Sequence, residues 1–385
     1  MRIINVVGAR PNFMKIAPLM AAWPAHPEIE PLLVHTGQHH DHAMSDLFFD
    51  ELGIPRPDLN LGVHGGSHTS QHARVMLAFE EVCLTHRPDL VLVVGDVNST
   101  LSCALVAAKL GVRVAHVEAG LRSYDRTMPE EINRVITDQI SDLLFVSEDS
   151  GLTNLAREGL DHEGVHFVGN VMIDSLLHHI DKAKKSSVLT DHHLDPRGYA
   201  VLTLHRPANV DDPAVLAGLL DVIERVAAEQ RIVFPAHPRT LDRLASFGLK
   251  ARLDAIDAIT VVPPMGYLDF LHLVGQARII LTDSGGIQEE TTVLRVPCIT
   301  LRESTERPST CLIGTNRLAG TDPDRVWREY RAAMETDPAA FGIPAKWDGR
   351  AAERIAAIIA AEGKRPRTPA LGWTAFGAMP RLSRV

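Results

Sequence analysis

Short apolar runs recur along the chain, each followed by a turn and then by a segment whose apolar positions return with a helical period. IINVVG (3–8), PLLVHT (31–36), DLVLVVGD (89–96), VRVAHVE (112–118), LLFVS (143–147) and VHFVG (165–169) are predicted strands. Between them, SQHARVMLAFEEVCLTH (70–86) and STLSCALVAAKLG (99–111) are predicted helices. The strand runs are continuously apolar rather than alternating, which predicts parallel strands covered by helices on both faces. Strand–helix alternation of this kind predicts an α/β, doubly wound sheet.

The rhythm restarts after residue 170 with YAVLTLH (199–205), RIVFPAH (231–237), ITVVPP (259–264), ARIILTD (277–283) and PCITLR (297–302). Two α/β domains follow from this, one over residues 1–170 and one over residues 171–350. The stretch from Gly169 to Gly198 is predicted to hold a connecting helix and a polar loop. An Ala-rich helix is predicted over residues 351–363, free to pack back on the first domain, and residues 364–385 lack any period and form a tail.

Composition narrows the function classes. With 385 residues, 45% hydrophobic and 23% charged, the chain has the make-up of a soluble globular protein of two cores. A formal net charge of −9 argues against nucleic acid as the main partner. No apolar stretch approaches the roughly 18 residues needed to span a bilayer, and no secretory leader is visible at MRIINVVGARP. Cys83, Cys103, Cys298 and Cys311 show no CxxC spacing and sit in apolar surroundings, as expected of buried, reduced thiols in the cytoplasm.

Parallel sheets bind ligands beyond the carboxyl ends of their strands. That rule gathers Arg10 and Lys15 (GARPNFMK), Asp96 (GDVNST), Glu118 (HVEAGLR) and Glu130 (MPEEINR) from the first series. From the second it gathers His205 (TLHRPAN), His237 (PAHPRT), Ser284, Gly285 and Gly286 (TDSGGIQEE), and the stretch from Arg302 to Arg307. Two glycines opening a helix expose backbone N–H groups to an anion, and Arg10, Lys15 and Arg307 add the charge a diphosphate needs. Glu131, Arg126 and Arg134 fit a charged helix surface as well as they fit a site, and Arg122 is open. The absence of GxxxxGK[ST], GxGxxG and GxSxG argues against NTP hydrolysis, a bound dinucleotide and a serine nucleophile. The cluster His39, His40, Asp41 and His42 has no spacing that converges on one ion, so no metal is expected.

Taken in order, GARPNFMKIAPL, HTGQHHD, VVGDVNST, HVEAGLRS, MPEEINR, VGNVMIDS, TLHRPAN, LTDSGGIQEE and ESTERP…GTN resemble the non-hydrolysing UDP-N-acetylglucosamine 2-epimerases, over residues 8 to about 360. The resemblance implies two Rossmann-like domains in a glycosyltransferase-B-like arrangement, with the active site in the cleft, no cofactor, and a cytoplasmic homodimer. It implies interconversion of UDP-GlcNAc and UDP-ManNAc in polysaccharide biosynthesis. By motif, Asp96, Glu118, Glu130 and His205 match catalytic positions. Arg10, Lys15, Ser284, Gly285, Gly286, Glu290 and Arg307 match substrate-binding ones. In members with a regulatory UDP-GlcNAc site, the matching residues are Gln38, His39, Arg74, Arg206 and His237. The chain departs from many bacterial members at His40, Asp41 and Met265.

The chemistry fits the residues. No carbonyl adjoins C2 of the sugar, so its hydrogen is hard to remove directly. Loss of UDP builds positive charge at C1 and acidifies C2–H, which calls for a diphosphate cradle and carboxylates to carry the proton. Three other readings stand beside this one: a 2-epimerase of UDP-2,3-diacetamido-2,3-dideoxyglucuronate, a hydrolysing relative that releases UDP and ManNAc, and a UDP-sugar sensor without turnover.

Overall fold

The computed structural model describes residues 1–38 and 51–363, with the side chain of Arg10 excepted. His39, the rest of the histidine cluster and the 364–385 tail therefore lie outside the described residues. The first sheet contains β1 (Arg2–Val7), β2 (Glu30–His35), β3 (Leu59–Asn60), β4 (Leu90–Val94), β5 (Arg113–Ala119), β6 (Leu143–Val146) and β7 (Val165–Phe167). The second contains β8 (Tyr199–Thr203), β9 (Arg231–Pro235), β10 (Ile259–Val262), β11 (Ile279–Thr282), β12 (Cys298–Thr300) and β13 (Asn316–Leu318). Every strand pair is parallel. This is what continuously apolar strands such as LVLVV, buried at every position of β4, require.

The strand order is β3-β2-β1-β4-β5-β6-β7 in one sheet and β10-β9-β8-β11-β12-β13 in the other. Each sheet reverses direction once, between β1 and β4 and between β8 and β11. At such a switch point the loops leave in opposite directions and open a crevice. Lys15 follows β1 and Asp96 follows β4; His205 follows β8 and Ser284 follows β11. Both crevices are thus lined by residues singled out from the sequence.

A continuous apolar cluster ties the halves together. It joins Phe13, Trp23 and Leu92 of the first half to Met172 and Leu176 of helix Val171–Ala183, to Tyr267 and Leu271, and to Ile355 and Ile359 of helix Ala351–Glu362. The C-terminal helix thus returns to pack on helix Arg10–Ala22 of the first half. Asp174 fixes its start, accepting hydrogen bonds from the Ala351 and Ala352 amides at 3.1 and 2.7 Å. Cys83, Cys103 and Cys298 are buried free thiols, whereas Cys311 is only partly buried, a correction to the expectation that all four fill cores.

Candidate active site

β5 ends irregularly. Its register against β6 shifts between Val117 and Ala119, and Glu118 takes the left-handed conformation at φ 74°. A non-glycine residue adopts that backbone only when its surroundings hold it there. The turn aims the Glu118 side chain back beneath the neighbouring strand ends. Lys15, one turn into the helix after β1, pairs with one carboxylate oxygen. Arg307, which precedes the short helix Pro308–Leu312, reaches the other at 3.0 Å. Burial alone would push this carboxyl up, but the two cations hold it below the usual carboxylate range.

Arg307 spans both halves. Its Nε lies 3.0 Å from Glu289 on helix Gly285–Leu294, and its Nη1 lies 3.4 Å from the Ser147 hydroxyl at the end of β6. Glu289 in turn accepts from Asn170 Nδ2 at 2.6 Å. Next to it, Ser309 donates to Glu148 at 3.1 Å, a second tie between the halves.

Asp96 pairs with Arg134, and its backbone carbonyl accepts from Asn133 Nδ2 at 2.9 Å. Burial opposes ionisation of Asp96, and the charges of Arg134 and Lys15 outweigh it, so this carboxyl also sits below its ordinary value. Arg134 also grips Glu131, which accepts from the Ser123 and Tyr124 amides at 2.9 Å each. Glu131 and Arg134 are buried, so of the three residues that fitted a charged helix surface only Arg126 is exposed. Glu130 begins the same helix, Pro129–Gln139, with its side chain exposed, where the helix dipole favours an anion. Its charge acts across the cleft on Arg206.

On the opposite rim, His205 directs Nδ1 at Asp283 across 2.9 Å, and the His205 and Arg206 amides each donate to the other Asp283 oxygen at 2.9 Å. Asn209 Nδ2 adds a bond at 3.2 Å. These donors and the imidazole hold the fully buried Asp283 carboxyl below its ordinary range against the opposing effect of burial. With Nδ1 engaged, the Nε2 edge of a half-exposed ring is left for the cleft. Asp283 went unnamed in the sequence reading, although its place at the end of β11, one residue before Ser284, was a usable signal.

Ser284 occupies the N-cap position of helix Gly285–Leu294, and its side chain makes no capping bond. A Cβ on Gly285 would lie 2.8 Å from the Glu306 carboxylate, while one on Gly286 would meet only Met172 Cε at 3.6 Å. Glu306 is buried against Arg302 at 2.8 Å, and the positive charge of Arg302, Arg134 and Arg206 keeps it far below the usual range despite burial. Glu290, deeper in the helix, is pushed up to about 8 by burial and then by Glu289, itself raised to about 7 by burial against the pull of Arg307.

The residues matched to a regulatory site are more dispersed. Gln38 accepts from the Ser99 amide and hydroxyl at 3.2 and 2.8 Å. Arg74 is exposed and bonds the Gly65 carbonyl. Arg206 Nε donates to the Asp283 carbonyl at 2.8 Å, and the His237 ring lies 6.4 Å from that of His205. Arg10 starts its helix at the end of β1. Among the described residues, no group of three or more His, Cys, Asp or Glu side chains is placed to hold a metal ion, and no helix is long and apolar enough to cross a membrane.

Two parallel sheets whose switch points face one another, with cations and acids on one rim and a glycine-opened helix on the other, form a cleft of the kind that takes a phosphate-bearing ligand. The family model for UDP-N-acetylglucosamine 2-epimerase matches residues 21–360, and the chain belongs to that family. A UDP-N-acetylglucosamine 2-epimerase from Methanocaldococcus jannaschii is 40% identical over 376 residues, covering 93% of this chain and 99% of its own. A UDP-2,3-diacetamido-2,3-dideoxy-D-glucuronate 2-epimerase from Pseudomonas aeruginosa is 38% identical over 367 residues, covering 94% and 99%. The crystal structure of the Methanocaldococcus jannaschii UDP-GlcNAc 2-epimerase in complex with UDP-GlcNAc and UDP matches with a TM-score of 0.86, covering 94% of this chain and 100% of that one. The glycosyltransferase-B-like arrangement implied by the motifs is the arrangement found.

Proposed function

We propose that the chain is a non-hydrolysing UDP-N-acetylglucosamine 2-epimerase, an isomerase that interconverts UDP-GlcNAc and UDP-ManNAc. The observation that carries the chemistry is the pairing of Glu118 with a cation from each half, Lys15 and Arg307. In this reading the C1–O bond breaks, its electron pair leaves with the β-phosphate, and a carboxylate takes the C2 proton. The C1=C2 double bond of 2-acetamidoglucal forms. Re-addition of UDP with protonation on the opposite face of C2 completes the inversion.

Such a route needs bases that are ionised at neutral pH, and the cations beside Asp96 and Glu118 keep both in that state. It needs two faces of C2 served by different groups, for which Asp96, Glu118 and Glu130 are the proposed set, with no one of them assigned as acid or base. His205, oriented by Asp283, is proposed to assist departure of the β-phosphate. Arg10, Lys15, Ser284, Gly285, Gly286, Glu290 and Arg307 are proposed to hold the nucleotide and its diphosphate. Gln38, His39, Arg74, Arg206 and His237 are proposed to serve a regulatory UDP-GlcNAc site. Residues 1–170 and 171–350 are the proposed domains. A homodimer, a cytoplasmic location and a part in polysaccharide biosynthesis are proposed on the resemblance, the location with the added support of four unpaired thiols.

Proton NMR of the purified protein with UDP-GlcNAc in D2O tests the reading. UDP-ManNAc carrying deuterium at C2, with no net loss of UDP-sugar, is the expected result. Free ManNAc with UDP identifies a hydrolase instead. A second reading, the diacetamido uronate as substrate, is favoured by the 38% identity to the Pseudomonas aeruginosa enzyme. Turnover of that sugar with inertness towards UDP-GlcNAc is the result that selects it.

A further inference from the structure

A fully buried polar group lies beneath the acid rim and takes no part in the proposed chemistry. His116, on β5 two residues before Glu118, directs Nδ1 at Asp138 across 2.7 Å and Nε2 at the Gly95 carbonyl across 2.8 Å. A carbonyl oxygen only accepts, so Nε2 donates. The Asp138 carboxyl is held below its ordinary range, because the bonds from His116 and Arg122 outweigh burial, so it accepts from Nδ1. Asp138 also takes the Arg122 guanidinium at 2.7 Å and the Gly120 amide at 3.0 Å. Arg122 is anchored from outside by Glu158, at 2.8 and 2.6 Å.

These bonds hold two separate turns at once. Gly95 is the residue before Asp96, and Gly120 is the second residue after Glu118. Through His116 the Asp138 carboxylate fixes the peptide that leads into Asp96, and directly it fixes the turn that leads out of Glu118. The Gly95 amide donates to the Val117 carbonyl at 3.0 Å and closes the loop between the turns. The left-handed backbone of Glu118, at φ 74°, lies inside this frame. A polar trio buried under a strand end costs desolvation, and apolar side chains of similar size would fill the space without that cost. What the polar trio adds is a set of bonds to the two turns that carry the carboxylates.

The geometry points to His116, Asp138 and Arg122 as positioning residues that set the spacing of Asp96 and Glu118 for proton transfer on the two faces of C2. The inference rests on the proposed epimerase reading. It predicts more than lost activity. When the first carboxylate removes the C2 proton but the second stands out of line to return one on the other face, the intermediate has time to escape. A misplaced pair therefore releases UDP and free 2-acetamidoglucal, whereas a partly unfolded protein does not.

The test uses His116→Gln in the full-length protein, with active sites counted by UDP binding in titration calorimetry. Per UDP-binding site, kcat is expected to fall roughly 10- to 100-fold, the scale of a misplacement near 1 Å. KM for UDP-GlcNAc is expected to stay within about twofold, and glucal released per epimerised product is expected to rise. An unchanged kcat per binding site with no rise in glucal overturns the inference and leaves the trio a folding element. Glu158→Gln covers the case in which the buried variant does not fold, because it loosens Arg122 from its partly exposed end. It should raise glucal release in the same direction with a smaller fall in kcat, and wild-type partitioning in that variant also overturns the inference. Failure of the wild-type protein to exchange C2 hydrogen with D2O would reject the epimerase reading itself, a separate outcome.

Discussion

At the strand ends of the first sheet, Glu118 is buried and Asp96 partly buried beside cations, while on the helix that follows β11 Glu289 and Glu290 are buried beside one another. Burial acts on all four in the same direction, towards the neutral acid. Lys15, Arg134 and Arg307 reverse it for the first pair. For the second pair the pull of Arg307, Lys15 and Asn170 on Glu289 and of Tyr267 on Glu290 falls short of it, so the two carboxyls are pushed up to about 7 and about 8. Depth in the protein therefore does not tell which acids are ionised. What decides is the balance of cations against acids around each carboxyl: Lys15 and Arg307 both serve Glu118, whereas Glu289 has Arg307 at 3.0 Å with the charge of Glu118 set against it.

The strongest way to break this comparison is Glu118→Gln. The variant removes a proton carrier and leaves Lys15 and Arg307 without their shared anion. Turnover of UDP-GlcNAc should fall about 1,000-fold, within the range for a lost proton-transfer group. Affinity for UDP should hold or rise, because the two cations are now free for a diphosphate. Steady-state kinetics beside titration calorimetry with UDP separates the two effects, and a parallel loss of UDP affinity would place Glu118 in binding rather than catalysis.

Arg307→Ala attacks the link itself. It leaves Glu118 with Lys15 alone and Glu289 without its ion-pair partner, and losing the partner of a buried ion costs about 3–5 kcal/mol. Urea unfolding should show that loss, together with a weaker UDP affinity. Arg307→Lys should recover only part of it, since one ammonium cannot reproduce the fork that meets Glu118, Glu289 and Ser147 together.

The neutral pair makes its own prediction about pH. A Glu whose carboxyl sits near 8 in the folded protein and near 4.5 when unfolded binds its proton more tightly in the folded state. Its contribution to stability is complete below the unfolded value. It is lost as pH rises from there to about 8, by about 1.4 kcal/mol per unit for one group. Asp96 and Glu118, shifted the other way, add stability above their unfolded values and lose it only as acid is added. Glu290→Gln should therefore flatten the decline in stability between about pH 4.5 and about pH 8 and leave the region below about 4.5 unchanged. Urea midpoints across that range would show whether the slope belongs to Glu290.

The fold was legible because it is written in local periodicity. Eleven of the strands named in the sequence analysis appear, from β1 to β12 with β3 excepted, each close to its predicted limits. β3, Leu59–Asn60, and β13, Asn316–Leu318, were not predicted. Both are too short to carry a pattern and lie at sheet edges, where pairing rather than composition makes them strands. The positions of Asp96, Glu118, His205 and Ser284 followed from the rule about strand ends. Their partners did not. Arg307 meets Glu118 across a separation of 189 residues, and Asp283 meets His205 across 78, distances over which no period or spacing carries information. Glu131 and Arg134 show the same limit within a single helix, where the charges are visible in sequence but the burial that turns them inwards is set by Ser123, Tyr124 and Asp96.

The gentlest probe distinguishes the glycines that open the helix facing the acids. At Gly285 a methyl group would run into Glu306 at 2.8 Å, and Arg302 holds that carboxylate in place, so an alanine there disturbs the protein before any ligand arrives. At Gly286 the nearest atom is Met172 Cε at 3.6 Å, an ordinary contact. Gly286→Ala should leave the melting temperature unchanged or raise it slightly, since alanine reduces the freedom of the unfolded chain by about 0.4–1 kcal/mol. The methyl group would nonetheless stand over backbone N–H groups at a helix start, where a diphosphate needs close approach. A UDP affinity about tenfold weaker in a fully stable protein would assign the lost space to the ligand alone. An unchanged affinity would move the diphosphate away from this helix and towards Lys15 and Arg307, and with it the proposed role of Ser284 and both glycines.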